Sequence, residues 1–268
     1  MRIRVPASIA NIGPGFDVLA MAVDLWLDVR AEPAERPDWT FAGEGAEYLT
    51  THPNPLTTQP MRGRVDNRIP LGVGLGSSAA ARLAVAALRG MAVDDAFRWA
   101  AAEEGHPDNV AAAAYGGVRM LASGVEALPT PRADVALLVS SAPASTDEAR
   151  EVLPGRVPLA DAVFNAGRLG LLVHALHTGR YELLREATED RLHQPYRRHL
   201  YPWTAAAIEA ALSAGAYGAA VSGAGPTVFA LCPTGSGHVV AAAMVAAAPG
   251  RGRAVVTGLA ESGMTVET

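Results

Sequence analysis

Residues 69–88 read IPLGVGLGSSAAARLAVAAL, and this stretch decides the fold. Gly72, Gly74 and Gly76 alternate along it, so no Cβ keeps a ligand away from the backbone. Ser77 and Ser78 follow, and the alanine- and leucine-rich run over 79–89 predicts a helix. The first amide hydrogens of a helix have no acceptor within it. A glycine-rich loop opening into such a start is an anion site, and a polyphosphate suits it. The spacing is not the dinucleotide fingerprint, because Ser77 occupies the third glycine position of GxGxxG. It is not a Walker loop either, because no lysine follows. The plain alternative is a glycine-rich turn capped by serine.

Lysine is in fact absent from all 268 residues: the 22 basic residues are arginine, against 27 Asp plus Glu, for a net charge of −5. That excludes P-loop NTPases, protein kinases with their third-strand lysine, and Schiff-base or pyridoxal-phosphate chemistry. The 54 alanines point to a compositional bias as the origin of the absence. The acidic balance and the lack of basic runs argue against nucleic acid as a partner. Cys232 stands alone, so no intramolecular disulfide can form and a reducing compartment fits. No signal core opens MRIRVPAS and no charge-free 18-residue apolar run follows, so a cytoplasmic chain without a membrane segment is expected.

Outward from the loop, strands are predicted at 2–5 and 18–30, separated by the Gly/Pro-containing ASIANIGPGFD. Residues 31–69 are interrupted by five prolines, and only the WTF near residue 40 suggests a short strand. Helices are predicted over 94–104 with Asp94 as N-cap, 159–178, 181–192, 203–214 with Gly215 as its stop, and 238–248. Strands are predicted at 135–142, on both sides of a tight turn in 219–232, and at 253–260. No solenoid-period repeat is present. The alternation predicts an α+β chain in two parts, 1–145 and 146–268.

Several segments carry polar residues suited to a site. Asn11 and Asp17 lie in the loop after the first strand and could accept from an ammonium or hydroxyl group, or simply form the turn. In EEGHPDN, Pro107 follows a helix end and holds His106, Asp108 and Asn109 in a bend, and a nearby carboxylate could hold Mg²⁺. Arg150 and Arg197 could each grip a carboxylate in two-pronged fashion, or be surface residues. No paired Cys or His supports a transition-metal site.

The loop resembles that of the GHMP kinases, and other segments resemble the homoserine kinases among them. These are VPASIANIGPGFDVLAMAVDL at 5–25, EGHPDNVAAAAYGG at 104–117, STDEAREVLP at 145–154, LHQPYR at 192–197 and AVSGAGPTVFAL at 220–231. The resemblance implies a GHMP kinase fold, with an N-terminal half like ribosomal protein S5 domain 2 and a ferredoxin-like C-terminal half. It implies ATP and Mg²⁺ as cofactors, L-homoserine as substrate and O-phospho-L-homoserine as product, and a homodimer. ATP's phosphates would lie along Pro70, Leu71, Gly72, Val73, Gly74, Leu75, Gly76, Ser77, Ser78, Ala79 and Ala80. Ser78 and Glu104 would hold the metal, with Glu103 the rival carboxylate. Asn11, Asp17, His106, Arg150 and Arg197 would contact homoserine. Asn109 would orient the hydroxyl with no strong base acting, although some GHMP kinases use an aspartate as base; Arg150 would lie near the γ-phosphate and Asp108 would be the less certain neighbour. In such a transfer positioning outweighs deprotonation, because the transition state is largely dissociative. Relatives carry a helix after an Asn-containing motif on the adenine side. HPNPLTTQPMRGRVDNRIPL is too short and proline-rich for that helix, leaving Asn54 as its remnant. A kinase for another small alcohol, or an impaired binding protein of the same fold, are the rival expectations.

Overall fold

β1 (Arg2–Ala10) and β2 (Leu19–Pro33) form a long antiparallel pair, with a register shift between Pro6 and Ala7. The computed structural model describes residues 1–267. Beyond β2 the chain adds β3 (Asp38–Gly43), helix α1 (Ala46–Thr51), a 3₁₀ turn at Leu56–Thr58 and β4 (Met61–Asn67). Thus 31–69, expected to hold one short strand, contains two strands and a one-turn helix. β4 pairs antiparallel with β2 and parallel with β3.

The glycine loop leads into α2 (Ser77–Leu88), followed by α3 (Val93–Glu104) and α4 (Asp108–Tyr115). Asp94 does not cap α3: Ala92 holds the N-cap position, and the Asp94 carboxylate accepts from the Tyr115 hydroxyl. α2 buries Leu83, Ala84, Val85, Ala86 and Ala87, and α4 buries Val110 and its alanines, which lets both lie close against β1. β5 (Val118–Leu121) pairs with the start of β2, and β6 (Val125–Leu128) pairs with β5.

The second sheet opens with β7 (Asp134–Ser140). After it come α5 (Thr146–Glu151), α6 (Leu159–Thr178), α7 (Leu184–Ala187), α8 (Gln194–Arg197) and α9 (Thr204–Ser213). The remaining elements are β8 (Gly218–Val221), β9 (Val228–Cys232), α10 (Gly237–Ala247), β10 (Gly252–Thr257) and β11 (Thr265–Glu267). The sheet order β10-β7-β9-β8 is all antiparallel and has the βαββαβ plan of a ferredoxin-like unit. Strand pairing therefore divides the sheets between Leu128 and Asp134, upstream of the expected boundary at 145/146, and β11 returns to pair with β1.

The unbroken apolar run of β7 follows from burial on both faces. Val135, Leu137 and Val139 join the core of the first sheet, whereas Ala136 and Leu138 face the cluster under α9 and α10. The helix expected over 181–192 is instead a 3₁₀ turn plus the four residues of α7. Asp190 ends it: its carboxylate accepts from the backbone N–H of Leu192, His193 and Gln194 and turns the chain into α8. Among the described residues α6 alone has the length and apolarity to cross a membrane, and it packs on α7 and β6 through its buried Leu172, Ala175 and Leu176.

Candidate active site

The loop between β4 and α2 lies where the two sheets meet. Gly72, Gly74 and Gly76 all have positive φ, 66°, 85° and 69°. At Gly74 the freedom is required twice over, because a Cβ would also run into the carbonyl oxygens of Ser222 and Gly225. The turn between β8 and β9 locks onto this loop. Ser222 Oγ donates to Gly74 O at 2.6 Å, and Thr227 N donates to Val73 O at 3.3 Å. From the other side, Ser8 N donates to Leu75 O at 3.2 Å. Gly76 at the N-cap of α2 has no side chain to cap it, so the helix's first amides are left for an anion, and Gly76, Ser77 and Ser78 line the cavity.

Around that helix start one cavity gathers Asn11, Asp17, Gly72, Gly74, Gly76, Ser77, Ser78, Glu104, His106, Asp108, Asn109, Arg150 and Arg197. The expected residues are thus brought together, but several are engaged with one another. Both ends of the Asn11 amide are taken: Nδ2 donates to Gly223 O at 2.8 Å, and Oδ1 accepts from Asp17 N at 3.1 Å. Asn11, Ile12 and Asp17 all have positive φ, so this amide braces a strained turn. Arg150 and Asp17 form a two-pronged ion pair at 2.7 and 3.1 Å. Arg197 is almost wholly buried: Nε donates to Ala149 O at 3.0 Å, and Nη1 to Gly223 O at 2.9 Å and to His193 Nδ1 at 3.0 Å. Both guanidiniums flank the Phe16 ring, at 5.5 and 5.4 Å from its centroid.

Burial, and then the neighbouring Arg150 charge, pull the Arg197 pKa down to about 10, which leaves it cationic at neutral pH. His193 accepts at Nδ1 and donates from Nε2 to Gly13 O at 2.8 Å, so it is held as the neutral ring. Its burial lowers its pKa in the same sense. Burial raises the pKa of Asp108, whose Oδ1 accepts from Asn109 N at 2.7 Å. Asn109 Oδ1 accepts from Ser8 Oγ at 2.8 Å, which fixes the amide with its NH₂ end free to turn toward a ligand.

Val73, Leu75, Ala79 and Ala80 are buried, so within the loop only their backbone is offered to a ligand. Pro70 and Leu71 instead line a neighbouring slot of about 770 Å³, with Tyr48 from α1, Pro143 and Val139, joined to the cavity at Gly72. Asn54 is turned away to structure: its side chain donates to Leu49 O and accepts from the backbone N–H of Leu56 and Thr57.

Glu103 is exposed, whereas Glu104 lines the cavity. The Glu104 carboxylate and the Ser78 hydroxyl both accept from one nitrogen, Nη1 of Arg82. Two oxygens that already converge on a cation beside a helix start form a donor set that fits Mg²⁺, a hard ion that takes oxygen ligands. The residues that sequence reasoning missed are Ser8, Phe16, Arg82 and His193. All four lie inside quoted segments, and Arg82 follows Ser78 by one helical turn, but spacing alone gives no reason to single them out.

This arrangement is matched by known proteins. The family descriptions "GHMP kinases N terminal domain" and "GHMP kinases C terminal" match residues 42–117 and 172–250. Fold and loop together are those of a GHMP kinase, and the distant L. major mevalonate kinase structure, 14% identical with a TM-score of 0.74, shares that fold. A homoserine kinase of Thermus thermophilus is 43% identical, covering 100% of this chain and 99% of its own. That of Carboxydothermus hydrogenoformans is 37% identical over 87% of this chain and 85% of its own. The crystal structure of homoserine kinase from Cytophaga hutchinsonii superposes with a TM-score of 0.84 at 29% identity, covering 100% of this chain and 97% of that one. The chain belongs to the homoserine kinase family.

Proposed function

We propose that the protein transfers the γ-phosphoryl group of ATP to the side-chain hydroxyl of L-homoserine. The observation that carries this reading is the single cavity in which the uncapped start of α2 faces Asn109, Arg150, Arg197 and Asp17. The loop amides and the helix start receive the β- and γ-phosphates. The apolar slot beside Gly72 has room for a purine against Leu71, Tyr48 and Pro143. Ser78 and Glu104 would hold Mg²⁺, which when bound lowers the charge of the triphosphate.

A carboxylate facing a guanidinium complements a zwitterion. Arg150 and Arg197 bind the α-carboxylate and Asp17 the α-ammonium, so the Arg150–Asp17 pair separates to admit the amino acid. Ser8 holds the Asn109 amide so that it aims the hydroxyl at the γ-phosphorus, and the oxygen–phosphorus bond forms as the bond to ADP breaks. Asp108 lies in the same cavity and braces Asn109 from behind, its Oδ1 accepting from Asn109 N at 2.7 Å.

An ADP-release assay with L-homoserine, mevalonate and a sugar alcohol tests the substrate. Turnover on homoserine alone is expected, and ATP-dependent turnover confined to either of the others would refute the assignment.

A further inference from the structure

Arg82 does not line the cavity, yet it reaches two residues that do, Ser78 and Glu104. It projects from α2 one turn after Ser78, and its Nη1 binds the Ser78 hydroxyl and the Glu104 carboxylate at once. Neither end of the ion pair is freely solvated: the side chains are 26% and 13% exposed. The guanidinium lies beside the first turn of α2, where the helix dipole favours anions and disfavours cations. Glu104 is what holds it there; among the described residues no other cation pairs with that carboxylate.

We propose that Arg82 is a resident cation at the metal position: it cross-links Ser78 and Glu104 and competes with a divalent ion for their oxygens until a triphosphate draws it off. A guanidinium and a divalent ion cannot share the same two oxygens, since both are positive and would lie within about 4 Å of each other. The incoming triphosphate changes the balance, because its negative oxygens draw the guanidinium off and add ligands for the metal. Metal binding to the protein is thereby coupled to nucleotide binding, and the coupling is reciprocal.

The proposal rests on the assignment of Ser78 and Glu104 to the metal, and the experiment separates the two. Free Mn²⁺ is followed by its electron paramagnetic resonance signal during titration of the protein, with and without a non-hydrolysable ATP analogue. Without nucleotide, Arg82→Gln should bind Mn²⁺ about tenfold more tightly than the wild type, since an opposing charge is gone. That gain should vanish in Arg82→Gln/Glu104→Gln. Arg82→Met, with matched melting curves, guards against a folding artefact. Unchanged or weaker Mn²⁺ binding in both Arg82 variants, with Glu104→Gln still weakening Mn²⁺ binding in the presence of the analogue, overturns the role of Arg82 alone. If Glu104→Gln leaves Mn²⁺ binding with the analogue untouched, the metal assignment falls and takes the proposal with it.

Discussion

Replacing Arg197 by alanine should cost the protein stability as well as substrate affinity. The guanidinium donates to Ala149 O, Gly223 O and His193 Nδ1, all in a region closed to bulk water. A charged hydrogen bond lost with its partner left buried costs about 1.5–3 kcal/mol. Water entering from the adjoining cavity recovers part of the three, leaving a destabilisation of about 3–5 kcal/mol. For a chain of this size that lowers the melting temperature by about 10 °C. The loss is not local, because Gly223 also accepts from Asn11 and its neighbour Ser222 holds the glycine loop. Scanning calorimetry of Arg197→Ala beside Arg198→Ala, whose side chain is exposed, provides the comparison. The control should melt within about 2 °C of the wild type. Homoserine KM should rise in Arg197→Ala, and ATP KM should rise with it, because the loop is loosened. A melting temperature for Arg197→Ala equal to that of the control would refute the reasoning, since it would mean the three bonds contribute nothing net.

Gly74→Ala should abolish measurable ATP binding in a calorimetric titration, because the new methyl meets two carbonyl oxygens at a positive φ; affinity within about threefold of the wild type would contradict it. Asp108 has a raised pKa from burial, so its ionisation opposes folding. That penalty is absent below the ordinary carboxylate range, where the group is protonated in both states, and grows as pH rises toward the folded value. Asp108→Asn should therefore melt higher than the wild type at neutral pH and no higher near pH 3; an equal gain at both would remove burial as the cause.

The glycine loop and α2 were legible because their signal is local: three alternating glycines need no partner to be recognised, and an alanine-rich helix follows directly. β4 was not, because Arg62, Arg64 and Asp66 point outward and only Val65 and Asn67 are buried, so the strand hides among polar residues. The 181–192 helix failed for a different reason, since Asp190 offered the backbone a competing set of hydrogen bonds. At the site, residue identities were readable but their mutual engagement was not. Asn11 and Arg197 were read as hands for a substrate, and their bonds to Gly223, which lies more than 200 residues from Asn11 in sequence, exist only in the folded chain. Arg82 looked like an ordinary helix residue until α3 delivered Glu104 beside it.

The return of β11 to the first sheet constrains how the two halves can move. The chain passes from one sheet to the other through 129–133 and comes back through 258–264. Two crossings define a line, as two pins define a door's hinge, whereas a single linker would permit swivel in every direction. The Ser222–Thr227 turn, hydrogen-bonded to the glycine loop, is thus tied to the first sheet by two chain crossings as well as by its own contacts. With both crossings in place, Ser222 is held opposite one carbonyl, that of Gly74, which sets the register of the glycine loop.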